Sequence, residues 1–229
     1  MNTEAIALPI TAAILAGLTV FAVRAYKSYQ ARRARNLAIA TKRGWRTLGD
    51  AGHLVDMFKT QPFGDGLSRK VQEAVTGSYR EREFTAFIYR YETQTVDGKG
   101  MPRRQVHLFE VVAITVAGHL PVVRFTPETV FARMAKAFGG RDVEVESAAF
   151  NRSWRVWTTD ERTAHGMLAP HVIDWLLRPD VLQMPFVFEP GYLMTYETGV
   201  LELNRAIAKM DRMCEFVGLI PAFVFEDRT

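Results

Sequence analysis

An uncharged apolar run, Ala5 to Val23, is the feature that most constrains how this chain can fold. The run is about as long as a helix needs to cross the hydrocarbon core of a bilayer, which takes roughly 20 residues at 1.5 Å each. A core helix of this length in a soluble protein would normally carry a polar face. The sequence therefore predicts a transmembrane anchor over residues 1–23.

Basic residues follow the apolar run at once, with no acid among them. By the positive-inside rule this places the amino terminus outside and the C-terminal domain in the cytoplasm. A secretory signal peptide would carry its cations before the run, where the only charged residue is Glu4, so cleavage is not expected. The prediction is a single-pass protein of the inner (plasma) membrane. The eight cations are Arg24, Lys27, Arg32, Arg33, Arg35, Lys42, Arg43 and Arg46.

The formal charge of +4 depends on this basic flank. Without its eight cations and Glu4, 21 basic and 24 acidic residues remain from Thr47 onward, a formal charge of −3. A nucleic-acid-binding domain needs a basic face of its own, so nucleic acid is not expected as a partner. Anionic lipid headgroups are the expected partner of the flank. The side chains predicted to contact the membrane surface are Arg24, Lys27, Arg32, Arg33 and Arg35.

Two small residues in the anchor, Ala13 and Gly17, lie four apart and would share one face of the helix. Such a stripe allows a second membrane helix to approach closely. Small residues are also common in membrane helices in general, so a specific helix partner and none at all both stay open.

After the anchor, residues 24–48 are predicted to form a basic juxtamembrane helix and residues 49–229 one cytoplasmic α+β domain. Consecutive strand patterns with short connections favour a mainly antiparallel sheet packed by helices. Strands are predicted at 83–95, 105–116, 120–125, 142–146 and 153–157, with a hairpin over 185–198. Helices are predicted to begin near 126–128 and at Asp160, and to span 201–217 with Leu203, Ile207, Met210, Cys214 and Val217 buried.

Catalytic motifs are sparse in this sequence. There is no glycine-flanked serine elbow, no phosphate-binding glycine loop and no dinucleotide fingerprint, so neither cofactor nor metal is predicted. His165 and His171 lie six apart, which is wrong for two ligands on one helical face. Glu144 and Glu146 alternate on a predicted strand and would share one face, either as a carboxylate pair for hydrolysis or, as is usual, as part of an exposed strand face. Cys214 is the single cysteine, so the chain cannot form an internal disulfide. It is predicted to be buried and inert.

One loop combines aromatic and polar residues in a distinctive way. Asn151, Arg152 and Trp154 could form a partner or ligand site. The alternative is that Asn151 and Arg152 fix the loop by bonding to the backbone and to a carboxylate.

Several motifs together resemble a family of membrane-anchored bacterial proteins of unknown function, found mainly in actinobacteria. The resemblance implies no activity and transfers no catalytic residue. It rests on the amino-terminal anchor, Pro62-Phe63-Gly64, the aromatic strand Phe84 to Tyr91, Pro127-Glu128, the string from Glu146-Ser147 to Phe150-Asn151-Arg152, and Asp160-Glu161-Arg162 before Pro170.

Three functions remain open from the sequence. The leading prediction is a non-enzymatic accessory or scaffold protein that binds a membrane protein partner through its cytoplasmic domain. The alternatives are a lipid- or small-ligand-binding sensor at the membrane surface, and a hydrolase using His165, His171 or the Glu144 and Glu146 pair.

Overall fold

A single long helix, α1, opens the chain and spans Thr3–Lys42. The computed structural model describes residues 3–226 except 65, 97, 99, 131–142 and 144, and it describes side chains from residue 16 onward. Among the helices searched within these limits, none is both long and apolar enough to cross a membrane. The side chains of residues 5–15, which include Ala13, lie outside the described part.

Within the described residues, eight antiparallel strands form one sheet, which confirms the predicted α+β class. Their order across the sheet is β1-β2-β3-β4-β8-β7-β5-β6. The three longest, β2 to β4, have 13, 15 and 14 residues. The strands are β1 (Arg46–Leu48), β2 (Leu67–Tyr79), β3 (Arg82–Val96), β4 (Pro102–Thr115), β5 (Val123–Pro127), β6 (Trp154–Thr158), β7 (Phe186–Glu189) and β8 (Tyr192–Thr198).

Four further helices lie entirely within the described residues and pack beside the sheet. The Asp160 side chain accepts a hydrogen bond from the Arg162 backbone N–H, which confirms it as a helix cap. Pro170 then starts a second helix, where its missing N–H costs little. The helices are α2 (Ala148–Ser153), α3 (Glu161–Met167), α4 (Pro170–Leu176) and α5 (Leu203–Leu219), with 3₁₀ turns at Gly52–Asp56 and Ala222–Val224.

The sheet separates two hydrophobic cores. The larger core contains α5, whose Phe216 ring lies 5.1 Å from Trp175 and 5.4 Å from Phe125. The smaller core, on the opposite face, packs Phe58 and Phe63 against the sheet. Burial on both faces explains why the central strands are apolar along much of their length.

Several predicted elements are confirmed within a few residues. These are the strands at 83–95, 105–116 and 153–157, the hairpin over 185–198 and the last helix. The strand predicted at 120–125 lies at Val123–Pro127. A helix begins at Glu128 as predicted, and its continuation over 131–142 lies outside the described residues.

The predicted juxtamembrane helix over 24–48 is wrong at its end. Helix α1 stops at Lys42, Gly44 takes a left-handed conformation with φ of 68°, and β1 follows. Ala40 and Trp45 are buried in the larger core. The domain boundary predicted at residue 49 is therefore too late, because the end of α1 is already part of the domain.

Two other predictions are corrected. No strand forms at the described residues of 142–146. The Val143 N–H instead donates a hydrogen bond to the Val156 carbonyl. In α5, Ile207 and Cys214 are only partly buried because the buried face is rotated toward Ala206 and Met213. The buried residues of α5 are Leu203, Ala206, Met210, Met213, Phe216 and Val217.

Candidate functional site

The junction between α1 and the sheet is held by a buried ion pair. The Arg32 guanidinium donates to both carboxylate oxygens of Glu73 on β2, at 2.7 and 2.8 Å. It also donates to the Leu201 carbonyl at 2.8 Å. The side chains of Arg32 and Glu73 are only 9% and 18% exposed. Such a two-pronged, charge-assisted contact fixes orientation as well as position.

Glu73 reaches α1 because β2 is irregular at this point. The pairing of β2 with β3 shifts register between Gln72 and Val75, which marks a β-bulge. Glu73 lies within it at a φ of 48°, a left-handed conformation that a residue with a side chain rarely adopts. A bulge redirects a side chain out of the regular alternation. Here it accompanies the contact between Glu73 and α1.

A second polar contact joins α1 to the start of α5. The Asn36 amide donates to the Leu201 carbonyl at 2.8 Å, and its oxygen accepts from the Leu203 backbone N–H at 3.0 Å. Leu203 is the first residue of α5, whose own cap residue Glu202 makes no side-chain capping bond. Asn36 therefore satisfies one of the free N–H groups that every helix leaves at its amino end.

Aromatic packing fixes the far end of α1. The Trp45 ring lies 4.6 Å from Phe84 in an edge-on contact, and its indole N–H donates to the Ser78 carbonyl at 3.1 Å. A Cβ on Gly77 would lie 2.4 Å from the Trp45 ring, so the absence of a side chain there admits the tryptophan. The junction is thus held at two places along β2, one at Glu73 and one at Gly77 and Ser78.

An open groove of about 770 Å³ runs beside this junction, between α1, the edge strand β1 and its neighbour β2. Its lining combines apolar, aromatic and cationic side chains. They include Tyr29, Arg33, Leu37, Leu48, Gln72 and Ala74.

A cluster of charged side chains lies under α5. Glu110 on β4 is fully buried and accepts a hydrogen bond from Arg205 at 3.1 Å. The Lys209 ammonium is 3.4 Å from Glu110 and 3.0 Å from Glu197, within ion-pair distance but without hydrogen-bond geometry. Burial raises the pKa of the Glu110 carboxyl, and Lys209 and Arg205 act against that rise while Glu197 adds to it.

The predicted membrane-surface cations divide into two groups. Arg24, Lys27, Arg33 and Arg35 are exposed. Arg32 is not, because Glu73 and the Leu201 carbonyl enclose it, and the prediction that it contacts headgroups is corrected. In the anchor, a Cβ added at Gly17 would meet no atom within 4 Å beyond the backbone of its own helix, among the described residues.

Two of the three residues of the predicted partner loop form hydrogen bonds within the domain. Asn151 accepts from the Val145 N–H at 3.2 Å and donates to the Val145 carbonyl at 2.7 Å. Trp154 is buried and donates to the Leu176 carbonyl at 3.0 Å. Arg152 is exposed. Asn151 thus takes the loop-fixing role of the two interpretations that the sequence left open.

The residues of the hydrolase hypothesis are only partly brought together. His165 and Glu146 line one surface depression of about 550 Å³ with Asp174. His171 lies elsewhere and bonds through Nε2 to the Leu219 carbonyl at 2.8 Å. Glu144 lies outside the described residues.

Other chemical groups give little support to catalysis. Burial raises the pKa of the Cys214 thiol, which disfavours the reactive thiolate. Within the part of the chain that the structure describes, no group of three or more His, Cys, Asp or Glu side chains could hold a metal ion.

Sequence reasoning missed the residues that form the junction. Glu73 and Asn36 each bond to a residue far away in the chain, and neither sits in a motif. The one local signal is Asn36 itself, a poor helix former within a helical stretch.

Comparison with known proteins adds a fold relative. No protein-family model and no curated protein match the chain. Among solved structures, the crystal structure of the mycobacterial trehalose monomycolate transport factor A, TtfA, matches with a TM-score of 0.62 and 13% sequence identity. The match covers 86% of this chain and 97% of that one. At this identity the likeness shows a shared fold, and the resemblance to an actinobacterial family stays a prediction.

Proposed function

We propose that this protein is a single-pass, membrane-anchored accessory protein whose cytoplasmic domain is held in a fixed pose by α1 and binds a membrane protein partner. The observation that carries the proposal is the junction, where Arg32 and Asn36 fasten α1 to the domain through buried polar bonds. A domain attached by a flexible linker would have no need of such bonds.

The length of α1 supports an anchor continuous with the domain. Its 40 residues extend about 60 Å, roughly twice the thickness of the hydrocarbon core. The apolar run occupies the first half and the junction lies in the second half. One helix is therefore long enough both to cross the bilayer and to pack against the sheet.

The basic flank supports the orientation. Arg24, Lys27, Arg33 and Arg35 are exposed between the apolar run and the domain, where cations favour the cytoplasmic side. The fold relative, by its name a transport factor, is compatible with an accessory role for this fold.

The groove beside the junction favours one alternative. Its mixture of Tyr29, Leu37 and Arg33 is suited to a lipid with an anionic headgroup, which would make the domain a lipid sensor. A lipid recovered with the purified protein in a fixed ratio, in place of a protein partner, would support this second function.

Membrane topology tests the proposal. We expect the full chain to remain in membranes washed with alkaline carbonate, and its domain to be digested by protease in inverted vesicles but not in intact spheroplasts. A variant with Arg24, Lys27, Arg33 and Arg35 changed to glutamine, with Arg32 left intact, should show a weaker orientation preference. Release by carbonate would contradict the anchor, and digestion from the outside alone would contradict the orientation.

A further inference from the structure

We propose that the tip of the β3–β4 hairpin is a second membrane contact, which rests on the headgroup layer of the membrane that holds α1. This inference rests on the proposed function, since it requires α1 to be inserted. The tip comprises the described ends of the two strands, Val96 on β3 and residues 102–106 on β4, with Met101 before β4.

Apolar side chains are unusually exposed at this tip. Val96 is 71% exposed, Met101 63% and Val106 49%, and Leu67 on the adjoining strand is 54% exposed. The register pairs Val106 and Leu67 with the same residue, Glu92. Cross-strand partners share a face, and so do residues four apart along a strand. Leu67, Val96 and Val106 therefore lie on one face of the sheet, with Glu92 between Leu67 and Val106 and the pair Gln94 and Arg104 before Val96.

The same tip is basic. The described cations of the tip are Arg103 and Arg104, at the start of β4. Arg103 is exposed, and the Arg104 side chain is 70% exposed, 3.9 Å from Glu92. Exposed apolar side chains flanked by cations are the combination that binds an anionic bilayer surface.

The direction of α1 places the tip toward the membrane. Arg32 contacts Glu73, whereas Trp45, three residues past the end of α1 and bonded to its Ala40 carbonyl, contacts Ser78, so α1 and β2 advance in the same direction. The opposite direction along β2 leads to Leu67, which pairs with Glu92 near the tip. The hairpin thus extends from the junction toward the amino-terminal half of α1.

The distances are sufficient for contact. From Ile88, beside the junction, to Val96 the strand extends about 26 Å at 3.3 Å per residue. From Arg32 back to Val23, the end of the apolar run, α1 extends about 14 Å at 1.5 Å per residue. The hairpin is long enough to reach the membrane surface even when inclined to α1.

Site-specific fluorescence tests the contact. The full chain, with Cys214→Ser, would carry one cysteine at a time for an environment-sensitive fluorophore: Val96→Cys at the tip, Leu18→Cys in the anchor and Glu83→Cys at the exposed opposite end of β3. Each is reconstituted in vesicles of phosphatidylcholine and phosphatidylglycerol containing a spin-labelled quencher lipid. We expect large fluorescence losses at positions 18 and 96 and little loss at 83.

The outcomes separate this inference from the proposed function. If the fluorophore is quenched at position 18 but no more at position 96 than at position 83, the hairpin contact is overturned and the anchor stands. No quenching at position 18 would overturn both. Arg103→Gln with Arg104→Gln should reduce quenching at 96 but not at 18, and omission of phosphatidylglycerol should do the same. Equal quenching at 96 in every condition would overturn the electrostatic part of the proposal.

Discussion

Replacing Arg32 with alanine is expected to lower the free energy of unfolding by about 3 kcal/mol, because it leaves the Glu73 carboxylate in a largely buried site without its cation. The loss also removes a hydrogen bond to the Leu201 carbonyl. For a chain of this size the melting temperature should fall by about 6–12 °C. Thermal unfolding of the full chain in mild detergent, followed by tryptophan fluorescence, measures the change.

Arg35 provides the matched control for this experiment. It is the same residue type, lies one turn further along α1 and is exposed. Arg35→Ala should change the free energy of unfolding by no more than about 0.5 kcal/mol. Arg32→Lys keeps the charge but not the planar guanidinium. Its loss of free energy of unfolding should lie between those of Arg32→Ala and Arg35→Ala. If Arg32→Ala were no more harmful than Arg35→Ala, the junction would not be held by this pair.

The second large effect is expected at Lys209, whose ammonium lies beside the buried Glu110 carboxylate. Lys209→Met keeps the aliphatic stem and removes the charge, so that Glu110 retains Arg205 alone. We expect the free energy of unfolding to fall by about 3 kcal/mol at pH 8, from the cost of a poorly paired buried charge. Chemical denaturation across a pH series measures this.

The pH dependence of the Lys209 effect has a definite sign. Burial raises the pKa of Glu110 in the folded protein, so between the unfolded and folded pKa values the native state binds more protons than the unfolded chain. In that window stability falls as pH rises. Removing Lys209 raises the folded pKa further. The destabilisation by Lys209→Met should therefore be large at pH 8 and shrink to at most about 1 kcal/mol near pH 4, where Glu110 is mostly protonated in both states.

Lys70 on β2 serves as the comparison, because it is an exposed lysine on the same sheet. Lys70→Met should leave the free energy of unfolding nearly unchanged at both pH values. A Lys209→Met effect of equal size at pH 4 and pH 8 would show that Lys209 contributes packing and not charge pairing.

Local patterns were sufficient to predict much of the fold. Alternation in β3, the apolar run of β4 and the turn at Pro190-Gly191 each indicated the right element, because these signals depend on neighbouring residues. β2 was missed since two bulges interrupt its alternation. The register of such a strand is set by its partners and not by its own pattern.

The junction could not be predicted from the sequence because it is made of long-range contacts. Arg32, Arg33 and Arg35 are equivalent in a basic run, yet only Arg32 meets Glu73, 41 residues away. Asn36 bonds to Leu201, 165 residues away. Nothing local distinguishes the buried arginine from its exposed neighbours until the helix is packed on the sheet.

The hairpin tip was predicted in part. The sequence predicted the two strands, but the exposure of Val96 and Val106 depends on how far β3 and β4 extend beyond the helices that cover the sheet. The direction of the tip relative to α1 likewise follows from the contacts of Arg32 and Trp45. Its proposed membrane contact is therefore a property of the assembled fold.

Recovery of a partner tests the accessory role most directly. The tagged full chain would be extracted from membranes in mild detergent, purified by its tag and analysed by mass spectrometry, with untagged membranes as the control. The account predicts that an integral membrane protein is recovered in stoichiometric amount with the tagged chain. Recovery of the chain alone, as a monomer, would contradict it.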